Sequence, residues 1–313
     1  FVNGLAGRVP GLSINPTSGD PGASSQIVLR GIISLSGDNQ PLMVVDGVPI
    51  DNSVVNQMST TIQGNNRNQD YSNRASDINP ADIESYVILK GPEATAMYGN
   101  LGANGAILIT TKKAKAGKGS ISYNNSLRIE RQLNFPEIQQ MYNQGQNGVY
   151  DGTTTLYHGP RYVAGTKLYD NIDQFFETGI GQKHNVVIEG GSEKYTYRWS
   201  NELTDNKGTI PNTSFQRISS RLTSTANISP IFKATTSINY MNTDNDKVTK
   251  GESGFLMSLL RFPSRYDIND WIDAQGNRKL RVGSIYSEFD NPFWEVYKNL
   301  KNDKSNRVIL NSD

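Results

Sequence analysis

What most restricts the possible folds of this chain is a set of runs about ten residues long in which apolar and polar side chains alternate strictly. In Ile121–Glu130 one side carries Ile121, Tyr123, Leu127 and Ile129, and the other Ser122, Asn124, Ser126, Arg128 and Glu130. Tyr195–Leu203 sets Tyr195, Tyr197, Trp199 and Leu203 against Thr196, Arg198, Ser200 and Glu202. Ile218–Ile228 and Phe232–Tyr240 repeat the pattern, with Arg221 and Lys233 on their polar sides. A period of two with one apolar face marks a half-buried strand. About ten residues is also the length that a tilted strand needs to cross a bilayer.

The connections narrow the choice further. Gly190–Glu193 and Ser229–Pro230 are tight turns, Asp205–Ser214 is intermediate, and Arg131–Gly181 and Asn245–Asp303 are very long. Short turns on one side and long loops on the other are the asymmetry of outer-membrane barrels. A soluble β-sandwich is the competing reading: it explains the alternation but not insertions of roughly fifty residues. Six strands, counting His184–Gly190 and Arg307–Ser312, are too few to close a wide barrel around a plug, so a processed or incomplete polypeptide is expected.

Composition excludes other classes. The 31 basic and 30 acidic residues leave a formal charge of +1, without the basic excess that nucleic-acid binding through counterion release requires. Hydrophobic residues reach only 35%, yet 15 Tyr, 10 Phe and 3 Trp are more aromatic content than a disordered chain carries. There is no cysteine, hence no disulfide framework and no thiol nucleophile. No apolar stretch is long enough for a transmembrane helix, which leaves a β-barrel open.

Residues 1–117 read differently, as a compact α+β unit. Gln26–Arg30, Pro41–Asp46, Glu84–Lys90 and Ala106–Thr111 are short apolar runs between Gly, Pro, Asn and Asp, the signature of buried strands. Pro92–Tyr98, entered by Pro and stopped by Gly99, predicts a short helix. Ser59–Ser76 is a long polar loop, and Lys112–Lys118 a basic linker.

Candidate chemistry is sparse. Gly99, Gly102 and Gly105 fit neither a dinucleotide fingerprint nor a phosphate loop. Two histidines, His158 and His184, are too few for a His-rich metal site, and His184 is expected at a membrane-interface girdle with the outward tyrosines. Asp46 and Asp51 flank Gly47-Val48-Pro49-Ile50; turn-forming Asp is the favoured reading over a working carboxylate pair. No Ser-His-Asp arrangement stands out, so no catalysis, metal or cofactor is expected. Arg128, Glu130, Arg198, Glu202, Arg217, Arg221 and Lys233 fall on polar strand faces, where they are expected to fasten a plug to a wall rather than line a substrate path.

The N-terminal unit resembles the plug domain of TonB-dependent outer-membrane transporters of the SusC/RagA group of Bacteroidota. The resemblance is carried by Leu5-Ala6-Gly7-Arg8-Val9-Pro10-Gly11-Leu12, Ser18-Gly19-Asp20-Pro21-Gly22, Ile27-Val28-Leu29-Arg30-Gly31, Pro41–Ile50, Ile78-Asn79-Pro80-Ala81-Asp82-Ile83-Glu84-Ser85, Ala94–Gly99 and Gly102–Lys113. It continues more weakly through His184–Glu193 and Lys207–Asn212. It implies an α+β plug domain (1–117) followed by antiparallel transmembrane strands (118–313) belonging to a 22-stranded β-barrel with long extracellular loops. It further implies a Gram-negative outer-membrane importer of oligosaccharides or oligopeptides, surrounded by outer-membrane lipid. Its partners would be a SusD-like surface lipoprotein and TonB, which would pull on a segment upstream of Phe1. The alternative is a plugged-barrel scaffold in a multi-protein complex, transporting little; a passive porin conflicts with an ordered plug. Substrate contact is expected at Gln63, Asn65, Asn66, Arg67, Tyr71 and Arg74 of the long plug loop, whose amides, guanidinium groups and ring suit sugar hydroxyls or peptide backbone.

Overall fold

In the computed structural model, the short apolar runs and the alternating runs build two different kinds of sheet. The structure describes residues 5–16, 19, 21–23, 25–32, 39–50, 78–249, 254–280 and 290–312. In the first unit, β1 (Leu12–Pro16) pairs antiparallel with β2 (Ser25–Leu29). Then β3 (Leu42–Val45), β4 (Val48–Ile50), β5 (Ile83–Leu89) and β6 (Ala106–Thr111) form a mixed sheet in the order β4-β3-β6-β5, with β3 and β6 parallel. A parallel pair needs a long crossover, and here it carries β5 and the helix Gly91–Tyr98. Pro92 opens that helix, the Glu93 carboxylate accepts the Lys90 N–H at 3.1 Å, and Gly99 ends it at φ 59°. Leu5, Leu12, Ile27, Leu29, Met43, Ile78, Ile107 and Ile109 close the core between the two sheets.

The alternating runs form one antiparallel sheet. Its strands are β7 (Gly117–Glu130), β10 (Gly179–Gly191), β11 (Tyr195–Lys207), β12 (Ser214–Ser229), β13 (Phe232–Lys247) and β14 (Lys301–Ser312); the small pair β8 (Gly145–Gln146) and β9 (Val149–Tyr150) lies between β7 and β10. Neighbours in the sheet are neighbours in sequence, which is the meander of an up-and-down wall. The strands run 12–16 residues, longer than the apolar runs. The ladder continues past the apolar band into polar stretches such as Asp205–Lys207 and Asp244–Lys247, at the end where the long connections begin.

The sidedness of this sheet decides between barrel and sandwich. On β11 the polar series Thr196, Arg198, Ser200, Glu202 and Thr204 is buried, while Tyr195, Trp199 and Leu203 remain 44–49% exposed. On β12 Arg217, Ser219, Arg221, Thr223 and Thr225 are buried, and Ile218 and Leu222 face outward. A sandwich would bury the apolar face against a second sheet. Burying the polar face against the plug and turning the apolar face outward is the arrangement of a membrane wall. Leu222 sits in this outward band between Trp199 and Ile238 of the neighbouring strands. Leu222→Arg is expected to cost about 2–4 kcal/mol if near the bilayer midplane and to prevent heat-modifiable assembly in the outer membrane. Val163→Arg, on an exposed connection, is expected to assemble normally.

The two long connections, expected as loops, are in fact packed together. Three short helices, Asn171–Phe175, Phe255–Arg261 and Pro292–Lys298, bury Ile172, Phe175, Val248, Phe255, Leu259, Phe262, Ile268, Phe293 and Val296 in a separate core. Phe175 is fully buried, with the rings of Phe176, Phe255 and Phe293 5.2–5.3 Å away. The apolar residues of this core are spread over more than a hundred positions, so no local periodicity announces it. Among the described residues no helix is long and apolar enough to cross a membrane.

Candidate functional site at the plug–wall interface

The plug meets the wall through charges that both sides place at one end of the plug sheet. β3 and β6 are parallel, so their C-terminal ends, Asp46 and Thr111, lie together; β5 is antiparallel to β6, so its start, next to Asp82, joins them. Asp46 occupies the β3–β4 turn at φ 48°, followed by Gly47 at φ 84°, a left-handed pair that Asp and Gly tolerate. Its carboxylate accepts the Thr111 N–H at 2.8 Å and hydroxyl at 2.7 Å. From the wall, the Arg221 guanidinium donates to Asp46 at 2.6 Å and to the Thr111 hydroxyl at 2.7 Å. Asn311 of β14 donates to the Asp46 carbonyl at 3.1 Å.

A second contact lies one strand away. Asn79 caps the turn Pro80–Asp82 by accepting the Ala81 N–H, which presents the buried Asp82 to the wall. Arg198 of β11 donates to Asp82 at 2.6 Å and lies 3.5 Å from Glu189 of β10. Both Arg198 and Asp82 side chains are almost fully covered, 4% and 6% exposed. Arg198 stands opposite Thr223 and Arg221 opposite Ser200, so the two arginines are offset by two residues on adjacent strands. Together they form an ionic latch with cations on the wall and anions on the plug.

Around the latch the interface is mixed and loosely filled. A cavity of about 270 Å³ lies between plug and wall, bordered by Asp46, Thr111, Lys113, Arg221 and Thr223 and by the apolar Val44, Leu108 and Ile109. Arg221 Nε and Thr223 Oγ1 are buried on its edge without a hydrogen-bond partner among the described residues, and a void of this size with such groups beside it has room for water. At the other end of the wall, the plug approaches more closely. Gly22 adopts φ +68°, and a Cβ there would stand 2.2 Å from the Phe215 ring and 2.9 Å from Asn245 Nδ2.

The remaining wall charges divide. Glu202, fully covered, pairs with Arg217 and with Lys183 at 2.5 Å, all three on the wall. Arg128 and Glu130 pair with each other at 3.2 Å on β7, and Lys233 is exposed beside a tight turn. The expectation of plug–wall fastening therefore holds for Arg198 and Arg221, and is corrected for Arg128, Glu130 and Glu202, which pair within the wall, and for the exposed Lys233. Facing inward on an alternating strand is not enough; a plug group must stand opposite at the same height. His184 is on the outer face, stacked with Tyr123 at 6.1 Å and hydrogen-bonded to its hydroxyl at 2.7 Å. Asp46 is a turn residue, and its side chain also anchors the latch; Asp51 lies outside the described residues.

Comparison with known proteins fits this geometry. Residues 2–106 match the TonB-dependent Receptor Plug Domain. The TonB-dependent receptor SusC of Bacteroides thetaiotaomicron is 32% identical over 96% of this chain and 30% of its own length. The TonB-dependent receptor P39 of Formosa agariphila is 30% identical over 71% of this chain and 20% of its own length. The solved RagAB peptide transporter superposes with a TM-score of 0.69 at 21% identity, covering 98% of this chain and 36% of that one. The chain belongs to the SusC/RagA-type TonB-dependent receptors.

SusC/RagA-type receptors are outer-membrane proteins, which agrees with the outward apolar face of the wall. The chain spans less than a third of the length of these curated relatives. In this receptor, Gln63, Asn65, Asn66, Arg67, Tyr71 and Arg74, expected to touch substrate, lie outside the described residues. Asp82 and Thr111 were missed as latch members. Their signal was present: a carboxylate beside Pro80 and a hydroxyl ending β6 fall at the same sheet end as Asp46, once the sheet order is known. Among the described residues no group of three or more His, Asp or Glu side chains converges as a metal site would.

Proposed function

We infer that this receptor imports oligomeric nutrients, oligosaccharides or oligopeptides, across the outer membrane. TonB supplies the force and a SusD-like surface lipoprotein covers the long-connection end. One observation carries the reading: among the described residues the plug is fastened to the wall by discrete charge contacts, and the apolar core of the plug includes no wall residue. Charge pairs and hydrogen bonds exchange with water at small net cost when both partners are rehydrated together, so a mechanical pull is able to release them. An apolar plug–wall core would resist the same movement at about 25 cal/mol for each Å² exposed. In this reading the receptor acts by binding and gating its cargo.

Under this reading Gln63, Asn65, Asn66, Arg67, Tyr71 and Arg74 contact the cargo, and 1–117 moves against 118–313. The test is extraction of the native complex in mild detergent followed by intact-mass measurement. A surface lipoprotein and a removable small oligomer are expected, and the mass of the oligomer separates glycan from peptide. Cells lacking TonB are expected to keep ligand binding and lose uptake. The scaffold reading draws on exposed apolar side chains of the first long connection, Leu133, Val149 and Val163, which suit protein contacts. A ligand-free assembly with several other proteins, unchanged by loss of TonB, would select it.

A further inference from the structure

The packed long connections hold an arginine that has no acceptor among the described residues. Arg265 follows the helix Phe255–Arg261 and is half-buried. Its guanidinium lies over two tyrosine rings, 5.2 Å from the centroid of Tyr150 and 5.1 Å from that of Tyr266. It has neither a carboxylate partner nor a hydrogen bond among the described residues, whereas Arg278 nearby in sequence is paired with Asp290 at 2.7 Å. Tyr162, also half-buried, adds a hydroxyl with no hydrogen bond in the same neighbourhood, where Arg265 acts electrostatically on it. Burial raises the Tyr162 pKa, so its proton stays available for donation.

The position of Arg265 is fixed from several sides. The buried Asn171 donates to the carbonyl of Tyr266 at 3.0 Å, and Tyr169 N–H to that of Ser264 at 2.7 Å. The Tyr157 hydroxyl donates to the Arg261 carbonyl at 2.6 Å. A guanidinium held close to two rings keeps its planar fork of N–H donors, which matches both oxygens of a carboxylate. Asp151, next to Tyr150, accepts the Thr153 N–H at 2.8 Å and hydroxyl at 2.7 Å, and Asp267, two residues after Arg265, accepts the Asn269 N–H at 2.9 Å and side-chain amide at 3.0 Å. Arg161 and Lys167 repeat the theme: each lies over a tyrosine ring, and neither has a carboxylate partner among the described residues.

We propose that Arg265, set over the Tyr150 and Tyr266 rings, is a carboxylate-recognition site on the packed connections, that Tyr162 in the same neighbourhood contributes its hydroxyl, and that the cargo is an acidic oligomer. This deepens the uptake reading and rests on it, but is read by binding alone, so failure of transport and failure of the site are distinguishable. The experiment uses the intact receptor complex in detergent, titrated calorimetrically with four probes: oligogalacturonate, a neutral maltooligosaccharide of equal length, a glutamate-rich peptide and its glutamine counterpart. At least one acidic probe is expected to bind about tenfold or more tightly than its neutral partner, and which one does so separates glycan from peptide. Arg265→Gln is expected to erase the difference. Arg265→Lys retains the charge over the rings but not the planar fork; it is expected to leave the melting temperature unchanged and lose most of the preference. Tyr162→Phe is expected to weaken the acidic probe severalfold. Equal binding of acidic and neutral probes, or a preference that survives Arg265→Gln, would overturn the proposal.

Discussion

Arg221→Met is expected to loosen the plug without unfolding the wall. The substitution leaves the Asp46 carboxylate facing a largely covered interface with Thr111 as its remaining donor. Breaking one side of a buried ion pair typically costs about 3–5 kcal/mol, because the other charge stays uncompensated. The loss should appear as faster protease cleavage within 1–117 and as ion conductance through the purified receptor in planar bilayers. Arg221→Met combined with Asp46→Asn is expected to recover much of the loss, since neither charge is then stranded. Thr111 and the cavity beside it, with room for water, give the neutral pair other partners. If the double variant is as leaky as the sum of the singles, Arg221 and Asp46 act independently and the latch account fails.

The second large effect is steric. Gly22→Val would place a branched side chain at a left-handed backbone position, with its Cβ only 2.2 Å from the edge of the Phe215 ring. Overpacking at such a contact commonly costs about 1–3 kcal/mol, and the left-handed conformation adds to it for a β-branched residue. The plug segment around Pro21 and Gly22 is therefore expected to lift from the wall near Phe215 and Gly208, where Pro21 also packs. Crosslinking mass spectrometry should report fewer contacts between this segment and β12. Gly22→Val with Phe215→Ala should restore part of them. Because the strain at φ +68° persists, rescue is expected to be incomplete. Full seating of the single variant would show that the close approach is dispensable.

The wall was legible because its physics is local. Alternation with period two fixes which side chains share a face, and six runs gave six strands in sequential order. The plug strands could be recognised from short β-branched runs, but their order could not. The parallel pairing of β3 with β6 spans more than fifty residues that include β5 and the helix, and nothing in Leu42–Val45 or Ala106–Thr111 states the partner. Half of the latch was visible for the same reason. Arg198 and Arg221 sit on polar faces that alternation assigns, whereas Asp82 and Thr111 become neighbours of Asp46 only through that pairing. The helical core of the long connections was illegible. Helices of five to seven residues are too short to show amphipathic periodicity, and their stability comes from Phe175 meeting Phe255 and Phe293 across distant segments.

The central claim, that the plug must part from the wall at the latch for cargo to pass, is open to a direct measurement by cysteine bridging, since residues 1–313 contain no cysteine that would compete at the latch. Asp82→Cys and Arg198→Cys, placed in the intact receptor and joined in cells by a short cleavable bis-thiol reagent, would tie the plug to the wall at one latch position. Growth is then followed on the nutrient whose use is lost when the receptor is deleted. The latch account predicts that growth stops when the bridge is complete, that ligand binding to the purified receptor persists, and that cleaving the bridge restores growth. The unbridged double-cysteine receptor should grow nearly as the parent does. Undiminished growth with every receptor bridged would contradict the account.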